Sequence, residues 1–150
     1  MELSNSLIYS FFISDYCELI FQKTRIGNSS FGNIRRFIHS HKYTGPTVKG
    51  LLLKKSLLIE IVRNLKNSKD QIKNTKEEKE LARFPYKRNT FITISLKEST
   101  LDDNPVCLDL REFIITPKYT GFTKKGIRFS IDQLDEFIKG CELLISKMSE

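Results

Sequence analysis

At 150 residues with 39% apolar content, the chain has room for one ordinary domain or two very small ones, and enough apolar side chains for a core. A net charge of +7 favours polyanionic partners, either nucleic acid or an anionic membrane surface, without choosing between them. The cysteines are Cys17, Cys107 and Cys141; with no Cys-x-x-Cys pair, and His39 and His41 remote from thiols, they argue against a structural zinc site and for reduced thiols in an intracellular protein, nuclear or cytoplasmic.

Leu7 to Ile13 (LIYSFFI) is apolar, but Glu2 and no basic residue precedes it, so it reads as an early strand or an apolar lead-in on the core rather than a signal peptide. No run approaches the roughly 20 apolar residues of a spanning helix, so no membrane partner is expected. A strand is expected within Glu18 to Lys23, and a helix whose stripe is Leu58, Ile61, Val62 and Leu65. Residues 66–83 lack apolar periodicity and read as an exposed linker extending the first helix; their lysines are balanced by Asp70, Glu77, Glu78 and Glu80, so they are not counted as a binding patch. Phe91 to Lys97 alternates, with Ile92, Ile94 and Leu96 on one face. Glu98, Asp102 and Asp103 form an acidic loop, read as a plain hairpin connection rather than a metal site. A strand follows over Val106 to Ile115, and Thr120-Gly121 is expected to reverse the chain. A short strand over Thr123 to Phe129 leads to a Ser130/Gln133 capping box and a helix seam of Ile131, Leu134, Ile138, Cys141 and Ile145.

The chain repeats itself. Ile34 to Leu65 and Leu110 to Cys141 align without a gap. Arg35 meets Arg111, Phe37 meets Phe113, Lys42-Tyr43-Thr44-Gly45 meets Lys118-Tyr119-Thr120-Gly121, Thr47 meets Thr123, and Lys49-Gly50 meets Lys125-Gly126. The boundaries are residues 1–68 for a more basic first repeat, 69–83 for a charged linker and 84–150 for a second repeat.

Leu108 to Phe113 (LDLREF) followed by Lys124 to Leu134 (KKGIRFSIDQL) resembles the positive-cofactor-four family, single-stranded-DNA-binding transcriptional coactivators. The resemblance implies an α+β fold: two repeats of a four-stranded antiparallel sheet followed by one helix, packed as an intramolecular pseudo-dimer. Family members hold single strands along paired sheets and dimerise through their helices. The chain departs from the family in having no Trp; Ile114 and Leu134 stand in those places. The first repeat has Asn33, Arg36 and Val48 where the second has Asp109, Glu112 and Lys124. The purine-rich-element repeat and Whirly proteins share a related plan.

A single-strand binder needs cations along the backbone track and flat rings for the bases. The residues expected to supply them are Arg35, Arg36, Phe37, Lys42, Tyr43 and Lys49 in the first repeat. In the second they are Lys87, Arg88, Phe91, Lys97, Arg111, Phe113, Lys118, Tyr119, Lys124, Lys125 and Arg128. Whether Phe37 and Phe113 stack on bases or fill the core stays open at this point. From Phe21 to Lys69 the only acidic residue is Glu60, so the first repeat is expected to carry most of the electrostatic affinity. Phosphate-loop, zinc-protease and serine-hydrolase motifs are absent, so no enzyme and no cofactor is expected. The expected function is single-stranded DNA binding in transcription or replication, with the machinery of those processes as partners and a homodimer as a further assembly. The alternatives are an RNA-binding accessory protein on the same scaffold and an interaction module for an acidic protein.

Overall fold

The computed structural model describes residues 3–99 and 104–148. Its elements run β1 (Leu3–Ser14), β2 (Cys17–Ile26), β3 (Ser29–His39), β4 (Thr44–Leu53), α1 (Lys55–Asn67), α2 (Lys69–Asn74), β5 (Lys79–Lys87), β6 (Thr90–Glu98), β7 (Val106–Ile115), β8 (Thr120–Phe129) and α3 (Leu134–Lys147), with a 3-10 turn at Ile131–Gln133 before α3. The class is α+β. Two four-stranded antiparallel meanders, β1-β2-β3-β4 and β5-β6-β7-β8, each lead into helix.

Period-two alternation decides which face is buried. Leu19, Phe21 and Ile34 of the first sheet, and Ile92, Ile94, Leu108, Leu110 and Ile127 of the second, are all buried in one continuous core with the helices. The stripe Leu58, Ile61, Val62 and Leu65 is the buried face of α1, as its spacing predicts. On α3 the seam is wider than the expected one, because Phe137 and Leu144 are buried beside Leu134, Ile138 and Cys141. Phe137 joins the two halves: its ring stacks on Phe129 at 4.5 Å and meets Phe21 of the other sheet at 5.6 Å. Helix α3 contacts α1, β1 and β2, and β4 contacts β8. The Ser130/Gln133 capping box is formed, and Gln133 Nε2 also donates to the Phe12 carbonyl at 2.9 Å.

Two local expectations are corrected. Residues 69–83, read as an exposed linker, are structured: α2 buries Ile72, and β5 begins at Lys79 with Leu81 and Ala82 against the core. One apolar residue per turn was too sparse to register as periodicity. The reversal expected at Thr120-Gly121 occurs before it, across residues 116–119, and both residues belong to β8. Thr116 Oγ1 donates to the Tyr119 carbonyl at 2.7 Å and accepts from the Tyr119 N–H at 2.9 Å, which closes the turn one step earlier. Asp102 and Asp103 lie outside the described residues.

Candidate nucleic-acid interface

The repeated signature builds one backbone device twice. Arg35 pairs with Gly50 and Phe37 with Pro46, so residues 47–49 bulge from β4 opposite Arg36. Arg111 pairs with Gly126 and Phe113 with Phe122, and residues 123–125 bulge from β8 in the same way. The arginine then clasps the bulge. Arg35 Nη1 donates to the Thr47 carbonyl at 2.8 Å, and Arg111 Nη1 donates to the Thr123 carbonyl at 3.1 Å. Inside each bulge the lysine N–H donates to the threonine hydroxyl, Lys49 to Thr47 and Lys125 to Thr123, both at 3.1 Å. Glycine is required beside the arginine: a Cβ on Gly126 would lie 2.8 Å from the Leu110 carbonyl oxygen, and one on Gly50 would lie 2.9 Å from that of Ile34. The tyrosine folds over the other glycine, Tyr43 Oη donating to the Pro46 carbonyl at 2.6 Å and Tyr119 Oη to the Phe122 carbonyl at 2.7 Å. Both tyrosine rings remain half exposed.

What surrounds the two arginines differs. Asp109 is buried, with 1% exposure, and receives Arg111 Nε at 3.1 Å and Arg128 Nη2 at 2.9 Å. Its counterpart Asn33 is neutral and accepts from Arg35 Nε at 3.3 Å. Arg111 is therefore charge-compensated, whereas Arg35 is held by dipoles alone.

Phe37 and Phe113 face away from the core, half-buried on the open faces of their sheets, because β2–β3 and β6–β7 keep an unbroken register past them. Phe37 packs on His39 at 4.9 Å, which in turn packs on Phe12 at 5.3 Å. Phe113 meets Phe122 edge-on at 5.0 Å and pairs across the strands with Phe91. Cations border these rings: Arg83 lies 4.2 Å from the Phe113 centroid and 5.7 Å from that of Phe91, and Lys97 lies 4.5 Å from that of Phe122. The linker reading left Arg83 out. Its signal was the alternation of Ala82, Phe84 and Tyr86 with Arg83, Pro85 and Lys87, masked by the charge run before it.

Where β4 meets β8, a partly open cavity of about 290 Å³ is lined by Arg36, Lys49, Arg111, Gly126 and Arg128. Among the described residues, only Arg111 and Arg128 have a carboxylate partner there, and they share one. Arg36 Nε donates to Cys17 Sγ at 3.2 Å. Lys42 and Lys118 are exposed in the hairpin turns, Lys124 and Lys125 on the second bulge, and Arg88 at the β5–β6 turn. Lys87, also exposed, lies 4.9 Å from the Tyr86 ring. These peripheral lysines are not drawn into the cavity.

Glu18 stands against the Phe12–His39–Phe37 cluster, paired to His39 Nε2 at 2.9 Å. Burial pushes its carboxyl up, but hydrogen bonds from Ser10 and His39, with the His39 charge, outweigh burial and hold it below the usual carboxylate range. Among the described residues, no group of His, Cys, Asp and Glu is placed to hold a metal, and no helix is long and apolar enough to cross a membrane. No protein-family model matches the chain, and no curated protein matches it in sequence.

Proposed function

We propose that this chain is a non-catalytic single-stranded nucleic-acid-binding protein of the positive-cofactor-four kind, its two units forming a pseudo-dimer within one chain. It binds single-stranded DNA in transcription or replication. The observation that carries the reading is the cavity where the sheets meet: four cations, Arg36, Lys49, Arg111 and Arg128, face one space, and one carboxylate offsets them. A phosphodiester matches that space in charge and in its demand for several donors, and guanidinium groups suit phosphate geometry. The half-buried rings of Phe37 and Phe113 lie on the same open faces as the clasped arginines, two residues further along each strand. Flat rings beside a cationic track are what a strand with unpaired bases requires, and each stacked base is worth about 1–3 kcal/mol. A duplex offers the track no free base faces.

The test is fluorescence anisotropy with labelled oligonucleotides of one sequence, as single-stranded DNA, duplex DNA and RNA, across a salt series. The expected result is preference for single strands over duplex, with affinity falling steeply as salt rises. Equal affinity for duplex would remove the role assigned to the rings. Absence of binding at low salt to all three would transfer the cationic cavity to an acidic protein partner. Tighter binding of RNA than of DNA would move the protein to RNA on the same scaffold.

A further inference from the structure

The two sheets protect their outer edges unequally. β5 carries Lys79, Glu80, Arg83 and Lys87 together with Pro85, the residues that keep an edge strand from pairing with another chain. β1 carries none of them: LSNSLIYSFFIS has no charged residue and no proline across Leu3–Ser14. It is the outer strand of its sheet, and residues 3–7 are all exposed, Leu3 at 64% and Leu7 at 61%. The far half of the strand is partly covered: Gln133 binds the Phe12 carbonyl and Phe11 packs against the core, while the Phe12 ring stays half exposed. The open part is the near half, up to the irregularity between Leu7 and Tyr9.

That open segment is Leu3-Ser4-Asn5-Ser6-Leu7, which reads the same in both directions. Laid antiparallel on a second copy about a two-fold axis, such a segment sets each residue opposite its like. Centred on Asn5, such a pair sets Leu3 opposite the second copy's Leu7, Ser4 opposite Ser6 and Asn5 opposite Asn5. The pairing of residues 3–7 with β2 is unbroken, so Leu3, Asn5 and Leu7 share one face and the leucines meet their like. Local charge does not oppose a second copy as occupant. The chain carries +7, and this uncharged edge is where two copies approach without repulsion. The nearest cations, Lys23 and Arg25, sit on β2. In the pair they are three strand spacings from their counterparts, roughly 14 Å, beyond the screening length of about 8 Å at physiological salt.

We infer that β1 pairs with β1 of a second copy through residues 3–7, joining two four-stranded sheets into one of eight strands. A five-residue pairing buries less than a standard interface, so the dimer is weak, with a dissociation constant of about micromolar or above. The inference does not rest on the nucleic-acid reading and is tested without nucleic acid.

Sedimentation velocity over about a hundredfold concentration range is expected to show the full chain moving from monomer towards dimer. Leu7→Lys is expected to remain monomeric with an unchanged circular-dichroism melt, since Leu7 is exposed. The register is read by oxidation. Antiparallel neighbours stand about 4.5–5.5 Å apart at Cα, within disulfide reach, so Asn5→Cys links to itself as a covalent dimer. Leu3→Cys alone does not, but does so when mixed with Leu7→Cys. A chain that stays monomeric throughout, a dimer untouched by Leu7→Lys, or a Leu3→Cys homodimer forming as fast as that of Asn5→Cys would overturn it.

Discussion

Arg35 and Arg111 make the same bond to the same backbone bulge, yet one has Asn33 beside it and the other Asp109. The comparison separates two things that a repeated sequence runs together. The residues the repeats share, Arg, Gly, Tyr and Thr, hold the strand irregular and are spent largely on the scaffold. The residues in which they differ set the charge that each clasp presents. The shared residues therefore mark construction, and the unlike neighbours Asn33 and Asp109 mark where the two clasps differ in charge.

The largest expected effect tests whether the two units stand apart at all. Phe137→Ala removes the ring that touches Phe129 of one sheet and Phe21 of the other, and should cost roughly 3–5 kcal/mol in denaturant unfolding. A loss near 1 kcal/mol, with two separate transitions, would mean that the halves fold independently. Next comes the exchange of the differing neighbours. Asp109→Asn leaves Arg111 and Arg128 without their shared partner and should cost about 2–3 kcal/mol, less than a fully buried pair because Arg128 keeps contact with water. The same variant should bind single-stranded oligonucleotides more tightly, and Asn33→Asp more weakly. If both exchanges leave affinity unchanged, the neighbour does not set the charge.

A smaller effect ranks the clasps themselves. The double variant Arg35→Gln, Arg36→Gln should lower the salt dependence of binding by about two phosphate contacts, and Arg111→Gln by less than about one. An equal or larger loss for Arg111→Gln reverses the assignment of the first unit as the electrostatic half. The smallest effect is a pH limb confined to the first sheet. The folded Glu18 carboxyl titrates below its ordinary 4.5, so its stabilisation is complete above that pH and is lost as the pH falls through the folded value. Glu18→Gln should flatten that acid limb of the stability curve. A limb of unchanged slope would place the protonation elsewhere.

Much of the fold was legible because periodicity is a local signal. β7 spans Val106–Ile115 as its alternation predicts, and the α1 stripe and the capping box are written in residue spacing. The bulges were not legible. Thr-x-Lys-Gly continues a strand pattern in sequence, and only the pairing of Arg35 with Gly50 and Phe37 with Pro46 reveals the extra residues. The placement of Phe37 and Phe113 stayed open in the sequence, and the unbroken β2–β3 and β6–β7 registers decide it. The cavity had no sequence signal, because it exists only where β4 of one unit meets β8 of the other, brought together by a core that no local pattern specifies. Asp109 was visible as a difference between repeats, but its burial under two arginines depends on Arg128 lying across the strand from it.

The unlike neighbours of the two arginines carry a directional consequence. In a dimer of identical chains, any substitution appears on both sides of the axis, so a linear ligand laid across it has no means of telling one end from the other. Here α2 and the segment around it join the two units covalently, and Asn33 and Asp109 changed without copying one another. The arginine of the first clasp has a neutral neighbour, and that of the second has a carboxylate. On the proposed reading, a strand whose two ends differ chemically would meet a different charge in each orientation and take one heading.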